Sequence, residues 1–213
     1  MTTRQGTDTI EHVFFQGSLF GRAEPSTAPL EEIDRSWLDG ASWVDYAPMW
    51  LTGADDVFDD LFQNLAWVQR RGIQMYDQLV DEPRLVDWWS VASGSTEPLP
   101  VLGQMRAELA AHYRVGFDSI GFNLYRDGND SVAWHGDRHR HVITDPIVAI
   151  VSVGAGRPFR LRPRGGGESR SWDLGYGDLF VMGGACQHQW EHAVPKARAA
   201  GPRISITFRH DAR

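Results

Sequence analysis

At 213 residues, with 42% hydrophobic residues and nine tryptophans, the chain is long enough for one domain with a real core and too apolar for disorder. Its formal charge of −7 leaves no global basic field, so any nucleic-acid partner has to be met by a local patch. One cysteine, Cys186, excludes an internal disulfide; with no apolar leader and no long apolar run, the expectation is a cytoplasmic monomer without a membrane partner.

Residues 1–50 are punctuated by Gly, Pro and isolated aromatics (Phe14, Phe15, Phe20, Trp37, Trp43, Trp50), which reads as short strands and loops. From Asp55 the apolar residues Val57, Phe58, Leu61, Leu65 and Val68 recur at helical spacing, with Asp55 and Asp56 where a helix N-terminus favours negative charge. A second helical pattern, Val101, Leu102, Met105, Leu109 and Tyr113, follows Pro98 and Pro100. Both helices are expected on one face of a sheet. After Gly116 the pattern changes to short strand-like runs at 119–125, 147–153, 159–162, 178–182 and 204–208. Turns separate them, at Arg126-Asp127-Gly128-Asn129 and at Arg164-Gly165-Gly166-Gly167. The glycine triplet opens no helix, so it reads as a hairpin and not as a phosphate loop. Many short strands at close spacing favour a sandwich or jelly roll over a parallel sheet. There is no internal repeat and no heptad.

The chemistry centres on His135-Gly136-Asp137, followed far downstream by His192 and by Arg203-Ile-Ser-Ile-Thr-Phe-Arg209. Two imidazoles and a carboxylate hold Fe(II) on one face and leave the other coordination positions open. In a strand, residues i and i+2 share a face, so His135 and Asp137 point the same way, as do Asn123 and Tyr125. Arg203, Ser205, Thr207 and Arg209 likewise share one face, opposite Ile204, Ile206 and Phe208. Arg203 and Arg209 stand roughly 20 Å apart on an ideal strand, so two long side chains reaching inward can grip both ends of a small dicarboxylic acid. An isolated His-x-Asp is by itself more often a surface turn. His188 and His192 also stand four apart, as a helical metal pair would, but no Glu lies between them and the flanks look strand-like. His139 and His141, within Arg-His-Arg-His, read as solvated basic-turn residues.

The flanking sequence resembles a known family. Asn123-Leu-Tyr125-Arg-Asp127-Gly-Asn-Asp130-Ser-Val-Ala-Trp134-His135-Gly-Asp137 is similar to the metal-binding segment of the AlkB-type Fe(II)/2-oxoglutarate dioxygenases, the nucleic-acid demethylases. So are Leu179-Phe-Val-Met182-Gly-Gly184, Trp190-Glu-His192-Ala-Val-Pro195-Lys196 and Arg203 to Arg209, in the right order and spacing. Pro83-Arg84-Leu85-Val-Asp-Trp88-Trp89 resembles, less specifically, the segment of the family's nucleotide-recognition lid. The resemblance implies an α+β protein with a double-stranded β-helix (jelly-roll) core, flanking helices and an N-terminal lid. It implies a single domain over 1–213, with extension, helices and lid in 1–115 and the catalytic core in 116–213. It assigns His135, Asp137 and His192 to Fe(II), and Arg203 with Tyr125 to the distal carboxylate of 2-oxoglutarate. Arg209 and Asn123 would meet its C1 carboxylate. Such enzymes use O2, convert 2-oxoglutarate to succinate, and hydroxylate an N-methyl group that leaves as formaldehyde.

The implied partner is alkylated DNA or RNA, whose target base has to leave its stack and enter a pocket. Bases such as 1-methyladenine and 3-methylcytosine are cationic and favour an aromatic wall. Trp88 and Trp89 are the candidates, with Arg84 and His139 beside them; core packing is the alternative for either tryptophan. Arg157, Arg160, Arg162 and Arg164 alternate with apolar residues, as a strand with one basic face would. Two positions depart from the family. Arg138-His139 stands where an acidic residue often follows the ligand pair and reads the base edge, and Ser205 stands where some members have Asn in the co-substrate site. The competing readings are the same iron chemistry on a protein or small molecule, and a non-catalytic jelly-roll binding module.

Overall fold

The computed structural model describes residues 17, 22–31, 33–75, 78–137 and 143–210. Eleven strands form the body: β1 (Asp34–Trp37), β2 (Ser42–Ala47), β3 (Leu85–Ser90), β4 (Ser119–Tyr125), β5 (Val132–His135), β6 (Val148–Gly154), β7 (Arg157–Pro163), β8 (Arg170–Leu174), β9 (Asp178–Gly184), β10 (Trp190–Val194) and β11 (Arg203–Arg209). A major sheet runs in the order β1-β2-β9-β6-β11-β4-β3 and a minor sheet in the order β8-β7-β10-β5. Every pairing is antiparallel. Two sheets packed face to face by such crossovers make the expected jelly roll. Two-stranded ribbons join Ser26–Thr27 to Leu51–Thr52 and Ile73–Met75 to Gln78–Val80. The first 115 residues supply three strands of the major sheet.

Period-two alternation in the buried strands divides the core into two layers. On β4, β6 and β11 one set of residues (Ile120, Phe122, Leu124; Ala149, Val151, Val153; Ile204, Ile206, Phe208) packs under the helices. These helices are α1 (Ala54–Asn64), burying Val57, Phe58 and Leu61, and α2 (Pro100–Tyr113), burying Leu102, Met105 and Leu109. Both lie on the same face of the major sheet, as their spacing predicts. The opposite set, with Tyr125, Val148 and Ile150, meets Phe159, Leu161, Leu174, Trp190 and Val194 of the minor sheet.

Helix α2 starts at Pro100, whose fixed φ and missing N–H suit the first helical position. Helix α1 starts beside Gly53 at φ 67°, where a Cβ would lie 2.3 Å from the Ala23 carbonyl, so only glycine fits. It ends earlier than its apolar spacing suggests. Leu65 is extended, and Val68 leaves the helical path to form a bridge with Val86, the next side of the sheet competing for its backbone.

One further expectation is corrected by strand parity. Arg157 does not belong to a basic face: it shares parity with Phe159 and Leu161 and is fully buried, while Arg160 and Arg162 point outward. Arg162 ion-pairs with Glu191 at 3.0 Å and lies 4.3 Å over the Trp134 ring. As expected, His188 does not pair with His192, although it sits on a single helical turn, α3 (Cys186–Gln189), and not in a strand; its Nε2 lies 2.9 Å from the Ile143 carbonyl oxygen. The glycine triplet is the expected hairpin, joining β7 to β8 with positive φ at Gly165, Gly166 and Gly167. No helix among the described residues is long and apolar enough to cross a membrane.

Candidate active site

The two sheets splay into a cavity of about 620 Å³. Its floor is the polar face of β11 and β4, whose register sets Arg203 opposite Tyr125, Ser205 opposite Asn123 and Thr207 opposite Gly121. Directly opposed residues share a face, so this pairing turns Arg203, Ser205, Tyr125 and Asn123 into one surface. From the minor sheet, β5 and β10 pair His135 with His192, and a register shift follows between His192 and Val194. Their rings stand 4.2 Å apart. Asp137 lies just beyond the end of β5. The three side chains offer one ligand atom each, all within 4.8 Å of one another.

Secondary contacts aim these groups. His135 Nδ1 lies 2.8 Å from the Ala133 carbonyl oxygen; donating there leaves Nε2 with its lone pair for a metal. Phe159 stacks on the His192 ring at 5.4 Å. Asp137 turns Oδ1 toward His192 Nε2, 3.9 Å away, and its Oδ2 accepts from Arg209 Nε and Nη2 at 3.2 and 3.1 Å. Burial alone would raise the Asp137 pKa, but Arg209 first, then His192 and His135, hold it well below the usual carboxylate range. Burial pushes the His192 imidazole down to about 3, against the pull of Asp137. A carboxylate and neutral imidazoles are the protonation states that metal binding requires. The donor set therefore fits Fe(II).

The floor fits a dicarboxylate equally well. Arg203 is 1% exposed and its Nη2 donates to Ser152 Oγ at 2.6 Å, but its buried Nε and Nη1 have no hydrogen-bond partner. Burial lowers its pKa from the ordinary guanidinium value. A buried cation with two unpartnered nitrogens beside a cavity is a site for an anion. Asn123 Oδ1 accepts from Arg84 Nε at 2.9 Å, which leaves the Asn123 amide N–H groups free to donate.

Of the expected substrate residues, Arg84 and Trp88 line the cavity. Trp88 is 48% exposed, and Arg209 lies 5.8 Å over its ring. Trp89 is a correction. Opposite Ile120 in the register, it faces away from the cavity, is 7% exposed in the helix-side core, and donates to the Ser95 carbonyl at 3.2 Å. Neighbours in a strand face opposite ways, so only one of the pair can reach the site. His139 lies outside the described residues. The sequence motifs did not single out Arg70, Ser152, Phe159 or Val132. Phe159 was traceable from its parity with Leu161; Ser152 and Arg70 carry no local signal.

Two histidines and a carboxylate in one cavity with a buried arginine are the donor set and anion anchor that a mononuclear iron oxygenase uses. The 2OG-Fe(II) oxygenase superfamily matches residues 58–209. Alpha-ketoglutarate-dependent dioxygenase alkB homolog 3 of Bos taurus is 35% identical over 178 residues, covering 75% of this chain and 62% of that protein. The Homo sapiens homolog 3 is 34% identical, covering 73% and 61%. DNA oxidative demethylase ALKBH2 of Arabidopsis thaliana is 31% identical over 192 residues, covering 71% and 60%. The chain thus belongs to the 2OG-Fe(II) oxygenase superfamily, which uses Fe(II) and 2-oxoglutarate, and is similar to its AlkB-type members. It spans about three-fifths of the length of these relatives.

Proposed function

We propose that this protein is an Fe(II)/2-oxoglutarate-dependent dealkylase of N-alkylated bases in DNA or RNA. The observation that carries the reading is one cavity holding the His135–Asp137–His192 donor set, the part-free guanidinium of Arg203, and a half-exposed tryptophan between arginines. The relatives' names, a dioxygenase and a DNA oxidative demethylase, support it.

In this reading Arg203 and Tyr125 take the distal carboxylate of 2-oxoglutarate, and Asn123 and Arg209 orient its C1 end. Ser205 completes the polar floor. Arg209 also holds Asp137 Oδ2, so that Oδ1 stays turned toward the metal position. Val132, Ile150, Phe159 and Val194 wall the cavity with apolar surface and limit water. Iron bound there supplies, with 2-oxoglutarate and O2, the oxidation of the N-alkyl carbon; the hydroxylated group leaves as an aldehyde, with succinate and CO2 as co-products. Trp88 offers its face to a cationic base, the exposed Arg70 stands where phosphates would pass, and Arg84 braces Asn123 beneath. The segment carrying these three residues is the nucleotide-recognition lid.

The test is incubation of the anaerobically Fe(II)-loaded protein with 2-oxoglutarate, oxygen and an oligonucleotide bearing 1-methyladenine or 3-methylcytosine. Succinate and base mass are measured together. Succinate with loss of one methyl mass is expected. Succinate without demethylation would move the substrate to a protein or small molecule, and no succinate at all would leave a binding module.

A further inference from the structure

Arg157 is as deeply buried as Arg203, with no exposed surface, and none of the motifs above assigns it a role. Among the described residues neither guanidinium makes an ion pair with a carboxylate. Asp130, the buried acid nearest in sequence to the turn that Arg157 holds, is already paired with Arg126. Arg157 instead donates to three backbone carbonyls, those of Asp127 and Asp130 at 2.8 and 2.9 Å and that of Pro195 at 2.9 Å. These bonds tie the turn between β4 and β5 to the segment just after β10. Its Nε is left without a partner. The cation ends beside Tyr125, its guanidinium carbon 5.6 Å from the ring centroid; that of Arg203 is 5.4 Å from the same centroid. Two buried cations therefore share one aromatic neighbour, and the repulsion of Arg157 on Arg203 outweighs the pull of Asp178, so added negative charge is favoured between them.

We propose that Arg157 is a positioning residue of the co-substrate site: its buried cation holds Tyr125 in place and adds to the positive field at Arg203, so that the cavity accepts a dianionic 2-oxo acid in preference to a monoanionic one. The inference rests on the reading of Arg203 as the anchor of the distal carboxylate. Arg157 does not line the cavity and so acts through Tyr125 and through its field. A cation roughly 10 Å from a carboxylate in a partly shielded interior contributes about a tenfold effect on affinity.

The experiment is calorimetric titration of Mn(II)-loaded protein under nitrogen with 2-oxoglutarate and with 2-oxovalerate, which has the same chain length but no distal carboxylate. Wild-type protein is expected to favour 2-oxoglutarate. Arg157→Gln, whose amide can still donate to backbone carbonyls, should cut that preference about tenfold, or about 1.4 kcal/mol, by weakening 2-oxoglutarate alone. Arg157→Lys keeps the charge but not the three-way fork, and should hold the preference within about threefold of wild type. In turnover, the glutamine variant should raise KM for 2-oxoglutarate and leave kcat at saturation unchanged. Equal weakening of both acids by Arg157→Gln, or a collapsed preference in Arg157→Lys, would make Arg157 a backbone staple only and overturn the inference. Should the glutamine variant not fold, the lysine variant alone retains that power. A wild-type protein indifferent to the two acids would overturn the anchor role of Arg203 as well, a result distinct from either.

Discussion

Replacing Arg203 with methionine should make the co-substrate-free protein more stable while removing its response to 2-oxoglutarate. The side chain is 1% exposed, bears a charge without a carboxylate partner, and has two nitrogens unpartnered. An apolar side chain of similar volume in place of a buried charge typically gains about 1–4 kcal/mol. Against this stands the loss of the bond from Nη2 to Ser152 Oγ, about 1 kcal/mol. The net gain of about 0–3 kcal/mol corresponds to a rise in Tm of up to about 12 °C for a domain of this size. Two charge-assisted hydrogen bonds to a carboxylate contribute about 3–6 kcal/mol, so the variant should bind 2-oxoglutarate about 10²- to 10⁴-fold more weakly. Thermal melts under nitrogen, with and without 2-oxoglutarate, read both effects. A methionine variant that melts well below wild type without ligand, or that keeps the ligand-induced shift, would refute the reasoning.

Asp137→Ala should abolish 2-oxoglutarate turnover while circular dichroism shows an intact fold, because it removes one of three metal donors and frees Arg209; wild-type turnover would take Asp137 out of the metal site. Gly121→Ala places a methyl 2.9 Å from Trp88 Cζ3 and 3.0 Å from Arg209 Nη1, and the half-exposed indole should yield. Its expected signature is an oligonucleotide KM raised about 5- to 50-fold, the scale of lost base stacking. Asp39 gives a pH prediction. Burial would raise its pKa, but hydrogen bonds from the Trp190 indole and the Ala41 and Ser42 amides hold it below the ordinary 3.8. A lowered folded-state pKa means a contribution fully present above the unfolded value and lost as pH falls through the folded one. Urea midpoints measured between about pH 5 and about pH 2 should therefore fall more steeply for wild type than for Asp39→Asn.

Parity explains both what the sequence revealed and what it concealed. The buried strands announced themselves, because β-branched and aromatic residues alternate cleanly with polar ones in β4 and β11; the polar set Asn123, Tyr125, Arg203, Ser205 and Arg209 proved to be the cavity floor. Short strands on the minor sheet were hidden. In β5, Val132-Ala-Trp134-His135 offers only four residues, and β8 (Arg-Ser-Trp-Asp-Leu) is mostly exposed, so neither carries a clear period. Trp88-Trp89 is ambiguous by nature: an adjacent aromatic pair says that one faces the core but not which, and only the pairing of β3 on β4 decides. Arg157 misled because arginines at 157, 160, 162 and 164 look like one stripe, although 157 has the opposite parity. Val68 misled because helical spacing carries no notice of a strand waiting to capture the chain.

The register of β11 between β6 and β4 has a consequence for how such a site can change over evolution. Arg203 is fixed along its strand by neighbours on both sides, opposite Gly154 and Tyr125. A slip of one residue would turn its guanidinium into the helix-side core, so the anchor can be relocated only by moving it two positions along the strand, about 6.8 Å. Preferences for acids of other lengths are then reached in coarse jumps, by exchanging which rung carries the arginine. Descent from one co-substrate to another has no smooth path through this sheet, whereas the rim around Trp88, on an edge strand, is free to drift.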